Sequence, residues 1–464
     1  MKLREYKVKI DVEIKEKLES YDVLVAGGGL AGFAAALSAA RNGAKTILIE
    51  KNGFLGGLGV IGATALHNFF NIFDATPGAP RLRVAAGIAQ ELVDRVQEYG
   101  GAMGHIHLEK GVRYISVVTP VEPEITKTVL NEMLIEAGVE LLLHTTLIEA
   151  IMNDDTINGV VIWNKAGYSY ISAEQFIDCT GDGDLAAYAG ASYKHFKSND
   201  VGAYPAGFTF RLCNVDLVKM EEDLTRKKLI AMLGHAIKPN GTEPELVRIG
   251  FNIRRLGFKK GFYFYASSLH PNELTYCNYL NYGPNDGLDP EALTSGEVYI
   301  RDLLLDLINF FRNNIDGCQD CYAAGAAPYI GQRRGRSIHC EYELSKEDCL
   351  EGKEFVDQIG CVSFIDLGNL IVKNSGAFGI PYRAIVPLKI KNLLVAGRTI
   401  SPDNIAFAAT RNTVPSMITG QAAGTAAAIA ISKDIIPRDI DVKNLQEKLV
   451  EDGALLKPIP DPLI

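Results

Sequence analysis

The stretch from Tyr21 to Gly57, YDVLVAGGGLAGFAAALSAARNGAKTILIEKNGFLGG, restricts the fold more than any other part of the chain. Asp22 to Ala26 reads as a short buried strand, Gly27-x-Gly29-x-x-Gly32 as a turn, Leu30 to Asn42 as an alanine-rich helix, and Thr46 to Glu50 as a second buried strand ending in an acid. That order is a βαβ nucleotide-binding unit. Gly27 lets the chain turn tightly off the strand, Gly29 has no Cβ to keep a diphosphate away, and Gly32 lets helix and strand approach closely. The helix N-terminus, opening at Leu30 and Ala31, offers free N–H groups and a partial positive charge to an anion. Glu50 ends the second strand, where a carboxylate accepts hydrogen bonds from both hydroxyls of an adenosine ribose; an acid there argues against a 2′-phosphate.

The rest of the chain must supply what this unit leaves out. With 464 residues, 47% hydrophobic and 22% charged, it has apolar material for two substantial cores. A net charge of −9 argues against a nucleic-acid partner. No run of about 18 uninterrupted apolar residues is present, so no spanning helix is expected. Residues 1–20 mix both charge signs without an apolar core, so no signal peptide is expected. Eight cysteines, mostly scattered singly, fit reduced thiols in a cytoplasm better than a disulfide framework.

Taken in order, Tyr6, Val8, Ile10, Val12 and Ile14 alternate with charged residues, which predicts a half-buried strand at an edge or in a ribbon outside the nucleotide domain. After the second Rossmann strand, GFLGGLGVIGATALHNFF places five glycines between Gly53 and Gly62, a segment able to lie against a flat ligand. Val84 to Tyr99 is an amphipathic helix with Ile88, Leu92 and Val96 on one face. A second helix covers residues 122–138, stopped by Gly138, and Val139 to His144 is a further core strand. Three short strands follow, Leu147 to Asn153, Gly159 to Asn164 and Tyr168 to Ser172, with turns at Asp154-Asp155 and Ala166-Gly167. Gln175 to Cys179 then reads as a separate buried strand running into Thr180-Gly181-Asp182-Gly183-Asp184.

A nucleotide fold interrupted by a β-meander, with a strand ending in T-G-D, is more specific than a generic dinucleotide pattern. Gly27-Gly28-Gly29-Leu30-Ala31-Gly32, Glu50-Lys51 with Gly56-Gly57, and Asp178 to Ala186 are joined by Ile330 to Arg336 and by IPYRAIVP, NLLVAGRTIS and GQAAGTAAAIA between Ile380 and Ala430. On these residues the chain resembles flavoproteins of the glutathione-reductase type. Within them it is similar to the FAD-dependent oxidoreductase family, cousins of the fumarate reductase and succinate dehydrogenase flavoproteins. The resemblance implies an α/β fold: a Rossmann-type FAD-binding domain with a β-meander insertion, plus an inserted α+β substrate or cap domain. The expected division is 1–190 for the first part of the FAD domain, 191–370 for the cap, and 371–464 for the return of the FAD domain and a tail.

The cofactor implied is FAD, contacted by Gly27, Gly29, Leu30, Ala31 and Gly32; by Glu50, Lys51, Gly56, Gly57 and Leu58; and by Leu147, Thr180, Gly181, Asp182, Gly397 and Arg398. Where some fumarate-reductase relatives attach FAD through a histidine, this chain has Gly56-Gly57-Leu58, so noncovalent FAD is expected. Asn392 to Ala396 reads as a buried strand delivering Gly397-Arg398 at its carboxyl end. The helix from Thr413 to Ser432, rich in Gly and Ala, packs closely and aims its positive end at the flavin edge that carries charge when reduced. Many relatives have an acid after that glycine; here it is Arg398, and the role of its side chain stays open.

In the cap region, Phe208 to Cys213, Phe262 to Ser267 and Leu274 to Leu280 read as strands, and Asp289-Pro290-Glu291 caps a long helix to about Asn314. GQRRGRSIH crowds Arg333, Arg334, Arg336 and His339 into seven residues. They form a solvated patch, a clamp for a substrate carboxylate, or a contact to FAD. Arg333 and Arg336 are the candidate catalytic residues, with His67 beyond the glycine segment as a third. Cys318-x-x-Cys321 lacks a second pair for a metal site, and His105 and His107 lack a third ligand, so no metal is expected. Two function classes stand: a flavoenzyme moving hydride between flavin N5 and a small polar, carboxylated substrate, or a flavoprotein of RNA modification or of an electron-transfer assembly. No second glycine turn for NAD(P)H lies between Ala191 and Leu370, so the electron donor or acceptor is unidentified; a homo-oligomer is left open.

Overall fold

The computed structural model describes residues 14–16, 19–61, 82–112, 115–367 and 370–460. The alternating lead segment from Tyr6 to Val12 and His67 lie outside them. Strands β1 (Ile14–Glu16), β2 (Tyr21–Ala26) and β3 (Thr46–Ile49), with helix α1 (Leu30–Arg41) between the last two, begin the first sheet. Helix α2 (Ile88–Glu98), strands β4 (Ile106–Val112) and β5 (Ile115–Val118), and helix α3 (Pro123–Glu136) come next. Strands β6 (Glu140–Leu142), β7 (Thr146–Asn153), β8 (Thr156–Asn164) and β9 (Gly167–Asp178) complete the first half. The first sheet runs β6-β3-β2-β9-β8-β7, and β1 also pairs with β9. Its central strands are buried along their whole length, from Val23 to Ala26 and from Thr46 to Ile49, because helices cover both faces of a parallel sheet.

One expectation changes here. Tyr168 to Ser172 and Gln175 to Cys179 are not separate strands but one, β9, of 12 residues. Gly167 to Ser172 pair antiparallel with β8, whereas Ala173 to Asp178 pair parallel with β2. Neither Ala173 nor Glu174 breaks a strand, so the chain exchanges partners without turning.

The cap contains β10 (Ala206–Cys213), helix α4 (Leu217–Arg226), β11 (Ile230–Ile237), β12 (Pro244–Phe251), β13 (Phe264–Ser267), β14 (Glu273–Tyr282), helix α5 (Pro290–Asn314) and β15 (Tyr322–Ala326). Its sheet runs β15-β10-β14-β13-β12-β11-β4-β5. Strands β11 and β12, which the sequence reading passed over, are central to it, and β4 and β5 come from residues numbered below 190. Helix α5 starts where Asp289 accepts from Glu291 N–H at 2.9 Å, and lays Leu303, Leu307 and Phe311 on the sheet. Residues from Ile338 onward pack into the first core instead.

The chain then returns through β16 (Leu393–Val395), α6 (Asn404–Thr410), α7 (Thr413–Lys433) and α8 (Val442–Glu451). Strand β16 pairs parallel with β9, Phe176 opposite Leu393. Among the described residues α7 is the one helix long and apolar enough to cross a membrane, yet 83% of its most apolar window is buried inside the fold. It lies on α1 so closely that a Cβ at Gly424 would stand 2.1 Å from the Ala35 carbonyl oxygen, and Ser38 Oγ meets Thr425 Oγ1 at 2.7 Å.

Candidate functional site

A cavity of about 590 Å³ lies where the carboxyl ends of the first sheet meet the cap sheet. Ala26, Ile49, Cys179 and Ala396, at or just past the ends of β2, β3, β9 and β16, form its floor. Ligands of parallel sheets bind at such ends.

The glycine turn sits on this floor. Gly32 is pressed so tightly on the strand end that a Cβ there would lie 1.8 Å from the Gly27 carbonyl oxygen. A Cβ at Gly29, by contrast, would meet no heavy atom within 4 Å, so the open space beside it belongs to the cavity. Gly27, Gly29, Leu30 and Ala31 line the cavity; Gly32 stands behind them as packing. Glu50 is buried, its Oε2 accepting from Gly28 N–H at 2.7 Å and its Oε1 from Asn52 N–H at 2.7 Å. Lys51, Gly56, Gly57, Leu58 and Leu147 line the same wall.

The T-G-D turn is shaped by Asp178. Its carboxylate accepts from Thr180 N–H at 2.9 Å, from Thr180 Oγ1 at 2.6 Å and from Ala186 N–H at 2.8 Å. Complete burial nevertheless raises its pKa to about 6. Thr180, Gly181 and Asp182 are thereby presented to the cavity, with Gly397 and Arg398 beside them. Arg398 donates from Nη1 to the Gln332 carbonyl at 2.6 Å and stands 4.0 Å from Asp182. It fits only because residue 181 is glycine: a Cβ there would lie 2.2 Å from Arg398 Nη2.

Two helices end at this cavity without side-chain caps. Helices α3, α4, α5, α6 and α8 are each capped by an acid at the preceding residue, respectively Glu122, Asp216, Asp289, Asp403 and Asp441. By contrast α1 and α7 have neither a side-chain cap nor an acid in the first turn. Asn412, Thr413 and Ser416 at the start of α7 line the cavity, and Thr413 Oγ1 is buried without a hydrogen-bond partner, as is Asp182 Oδ1. Uncapped helix ends facing one space, a glycine cradle and orphaned polar atoms suit a dinucleotide with a negatively charged middle. The residues present therefore fit FAD.

The arginine run divides by task. Arg333 lines the cavity. Arg334 is buried between Phe196 and Phe407, its guanidinium 3.5 Å and 4.0 Å from the two ring centroids, and donates to Asn404 Oδ1 at 2.8 Å. Arg336 does not line the cavity: it pairs with Asp184 at 2.8 Å and donates to the Asp182 carbonyl at 2.9 Å, fastening the T-G-D turn from behind. His339 is exposed. Cys318 and Cys321 are both buried and hydrogen-bonded to each other between α5 and β15, away from the cavity; that bond and burial push the Cys318 thiol up, whereas the same bond holds Cys321 down. His105 bonds Thr119 Oγ1 at 2.7 Å and Gln90 Oε1 at 2.9 Å. Among the described residues no group of three His, Cys, Asp or Glu could hold a metal ion.

Sequence reasoning missed the other wall. Arg248, Tyr265 and Asn278 line the cavity from adjacent cap strands, while Phe364, Asp366 and Arg411 close it beside α7. Arg411 is ion-paired with Asp366. Tyr329 also lines the cavity, linked through its Oη to Asn52 Nδ2 at 3.2 Å, and burial raises its hydroxyl to about 12. The period-2 pattern of the cap strands was the available signal, but β12 was not recognised as a strand.

The FAD dependent oxidoreductase family matches residues 22–449. The chain is similar to a probable fumarate reductase, Ifc3, of Shewanella frigidimarina, with 27% identity over 214 residues, 39% of this chain and 36% of that one. It is similar to thiamine thiazole synthase of Methanococcus vannielii, with 32% identity over 182 residues, 38% of this chain and 61% of that one. These matches span less than two thirds of either relative. Among solved structures, a geranylgeranyl bacteriochlorophyll reductase-like protein of Thermoplasma acidophilum is 14% identical with a TM-score of 0.45, covering 95% of this chain and 85% of that one. The p-nitrophenol 4-monooxygenase PnpA of Pseudomonas putida is 11% identical with a TM-score of 0.46, over the same shares.

Proposed function

Because the chain belongs to the FAD-dependent oxidoreductase family, we propose that it oxidises or reduces a small carboxylated molecule held in the cavity by Arg333. Noncovalently bound FAD supplies the two-electron chemistry, hydride passing between flavin N5 and the substrate. The protein's part is to bind, orient and shield.

The observation that carries this reading is the state of Arg333. Its guanidinium is half-buried in the cavity wall and makes one hydrogen bond, from Nη1 to the Pro205 carbonyl at 3.0 Å. Among the described residues no carboxylate lies within ion-pair distance of it. Burial, and secondarily the charge of Arg411, lower its pKa to about 10, so it is still a cation at neutral pH. A desolvated cation facing open space gains most from an anion with a planar pair of oxygens. Arg411 is already engaged by Asp366, and Glu297 by Arg301 and the Ile330 N–H, so neither competes for Arg333.

The test is to titrate short carboxylates into oxidised holoenzyme and follow the flavin spectrum. Arg333→Lys should weaken the responding ligand by about tenfold or more while FAD stays bound, because an ammonium cannot reproduce the planar fork. Loss of FAD would move Arg333 to the cofactor; an unchanged ligand response would remove it from the site.

Electron exchange with a separate partner is part of the proposal. With no second glycine-rich turn in the cap, NADH and NADPH should reduce the flavin slowly or not at all, and the partner is a diffusible or protein acceptor. Rapid saturable reduction by either nicotinamide refutes this. All eight cysteines are free thiols, which supports placing the chain in a reducing cytoplasm.

A further inference from the structure

Alternation along the cap strands sorts their side chains onto two unlike faces. Ile249 and Phe251 of β12, Phe264 and Ala266 of β13, and Cys277 and Tyr279 of β14 belong to the second core beneath α5. The opposite face carries Arg248, Tyr265 and Asn278, and the register keeps them together. Arg248 stands opposite Ser267, Gly250 opposite Tyr265, and Tyr265 opposite Asn278. All three side chains line the cavity.

This face is built rather than incidental. Arg248 is 2% exposed, and its Nη1 donates to Ser267 Oγ at 3.0 Å. Its guanidinium sits 5.8 Å from the Tyr265 ring centroid. The ring in turn crosses the backbone of Gly250, where a Cβ would stand 2.6 Å from Tyr265 Cδ1. A guanidinium held this firmly in a cavity wall is a fixed fork, and the neighbouring phenol and carboxamide add donors on the same side.

We propose that Arg248, Tyr265 and Asn278 form a second anchoring subsite that grips the end of the substrate remote from Arg333. The substrate class is then a bifunctional one, with a carboxylate at Arg333 and a second planar oxygen group, a carboxylate or a carboxamide, at Arg248. The proposal rests on the reading of Arg333 as the first anchor. Residues of the subsite are specificity-determining: they reject molecules that end in a methyl group, since such molecules leave the buried donors without an acceptor.

The experiment compares matched aliphatic monocarboxylates, dicarboxylates and half-amides as ligands of the oxidised holoenzyme, read by flavin absorbance. Bifunctional ligands should bind the wild type about tenfold or more tightly than the monocarboxylate of equal length. Tyr265→Phe and Asn278→Ala should lower that ratio toward one with the monocarboxylate Kd unchanged. Arg248→Gln should abolish the preference, with FAD content and circular dichroism used to check that the cap has folded. Equal Kd values for mono- and bifunctional ligands in the wild type overturn the subsite alone, leaving Arg333 in place. An equal weakening of both ligand types in Asn278→Ala and Tyr265→Phe marks a merely structural role and also overturns it. If no carboxylate binds, the reading of Arg333 falls and the subsite with it.

Discussion

The two walls of the cavity hold ligand by different means. The floor offers backbone: glycines, uncapped helix ends and turns whose side chains mostly serve to shape the turn, as Asp178 and Arg336 do. The roof offers side chains, Arg248, Tyr265 and Asn278, standing on three separate strands, with Arg333 between the two walls. A backbone site demands small residues at fixed spacing within one segment. A side-chain site needs only that neighbouring strands place the right groups side by side, so its members are scattered along the chain.

The sharpest way to break this contrast is to add one carbon to the floor. Gly32→Ala puts a Cβ where the Gly27 carbonyl oxygen already stands. We expect a loss of about 3 kcal/mol or more in denaturant unfolding, together with loss of bound FAD. A variant with wild-type midpoint and full FAD would show that the floor is looser than described. Next is Glu50→Ala, which removes a buried acceptor of the Gly28 and Asn52 amides. FAD affinity should fall by about 1–3 kcal/mol, measured by fluorescence titration, while carboxylate binding to the saturated enzyme stays the same.

A third test sets two neighbouring arginines against each other. Arg334→Lys should lower stability by about 1–3 kcal/mol through the lost ring stacking and fork contacts, leaving ligand binding in the folded protein intact. Arg333→Lys should do the reverse, changing stability by less than about 0.5 kcal/mol. Equal effects on both quantities in both variants would erase the distinction between them.

The smallest effect belongs to His235, on the cap sheet and outside the cavity lining. Burial lowers its pKa, but hydrogen bonds with Glu221 and Glu109 outweigh that and leave it raised. A raised folded pKa means stabilisation that is complete below the unfolded value, about 6.5, and lost as pH rises through the folded one. His235→Gln should therefore be less stable than wild type near about pH 5.5 by a few tenths of a kcal/mol and indistinguishable from it near about pH 9. A difference that persists at the higher pH would mean that the imidazole acts by packing rather than by charge.

The same contrast explains what was legible. Gly27, Gly29, Glu50 and the T-G-D turn could be read because strand, turn and helix follow one another without interruption, and each glycine has a steric reason visible in spacing alone. The long helix α5 was equally plain, from Asp289-Pro290-Glu291 onward. By contrast β12 begins at Pro244 and carries Arg248 and Gly250 among its apolar residues, so no clean alternation marks it as a strand. Its importance comes from its neighbours, β11 and β13, which only the folded sheet reveals. The run GQRRGRSIH was visible as a cluster, but adjacent side chains on an extended segment point opposite ways, and nothing in the run itself tells which arginine meets the cavity. Arg333 does, Arg334 is stacked in the core, and Arg336 ties the turn.

Strand β9 joins both kinds of pairing, and the partner it receives last comes from far along the chain. Its Phe176 meets Leu393 of β16, and α1 is completed by α7, in each case across the whole intervening cap. During synthesis the βαβ floor is made early, yet the helix end at Asn412 that faces the same cavity emerges only after the cap sheet and its core have been produced. The cap can therefore assemble on its own contacts while the floor waits with one edge of β9 unpaired. Long-range closure of this sort is slow, because the loop entropy must be overcome before any contact rewards it. A cofactor that bridges α1 and α7 would bind chiefly to the closed arrangement, and so would act as a clasp on the final step of folding as well as a reagent.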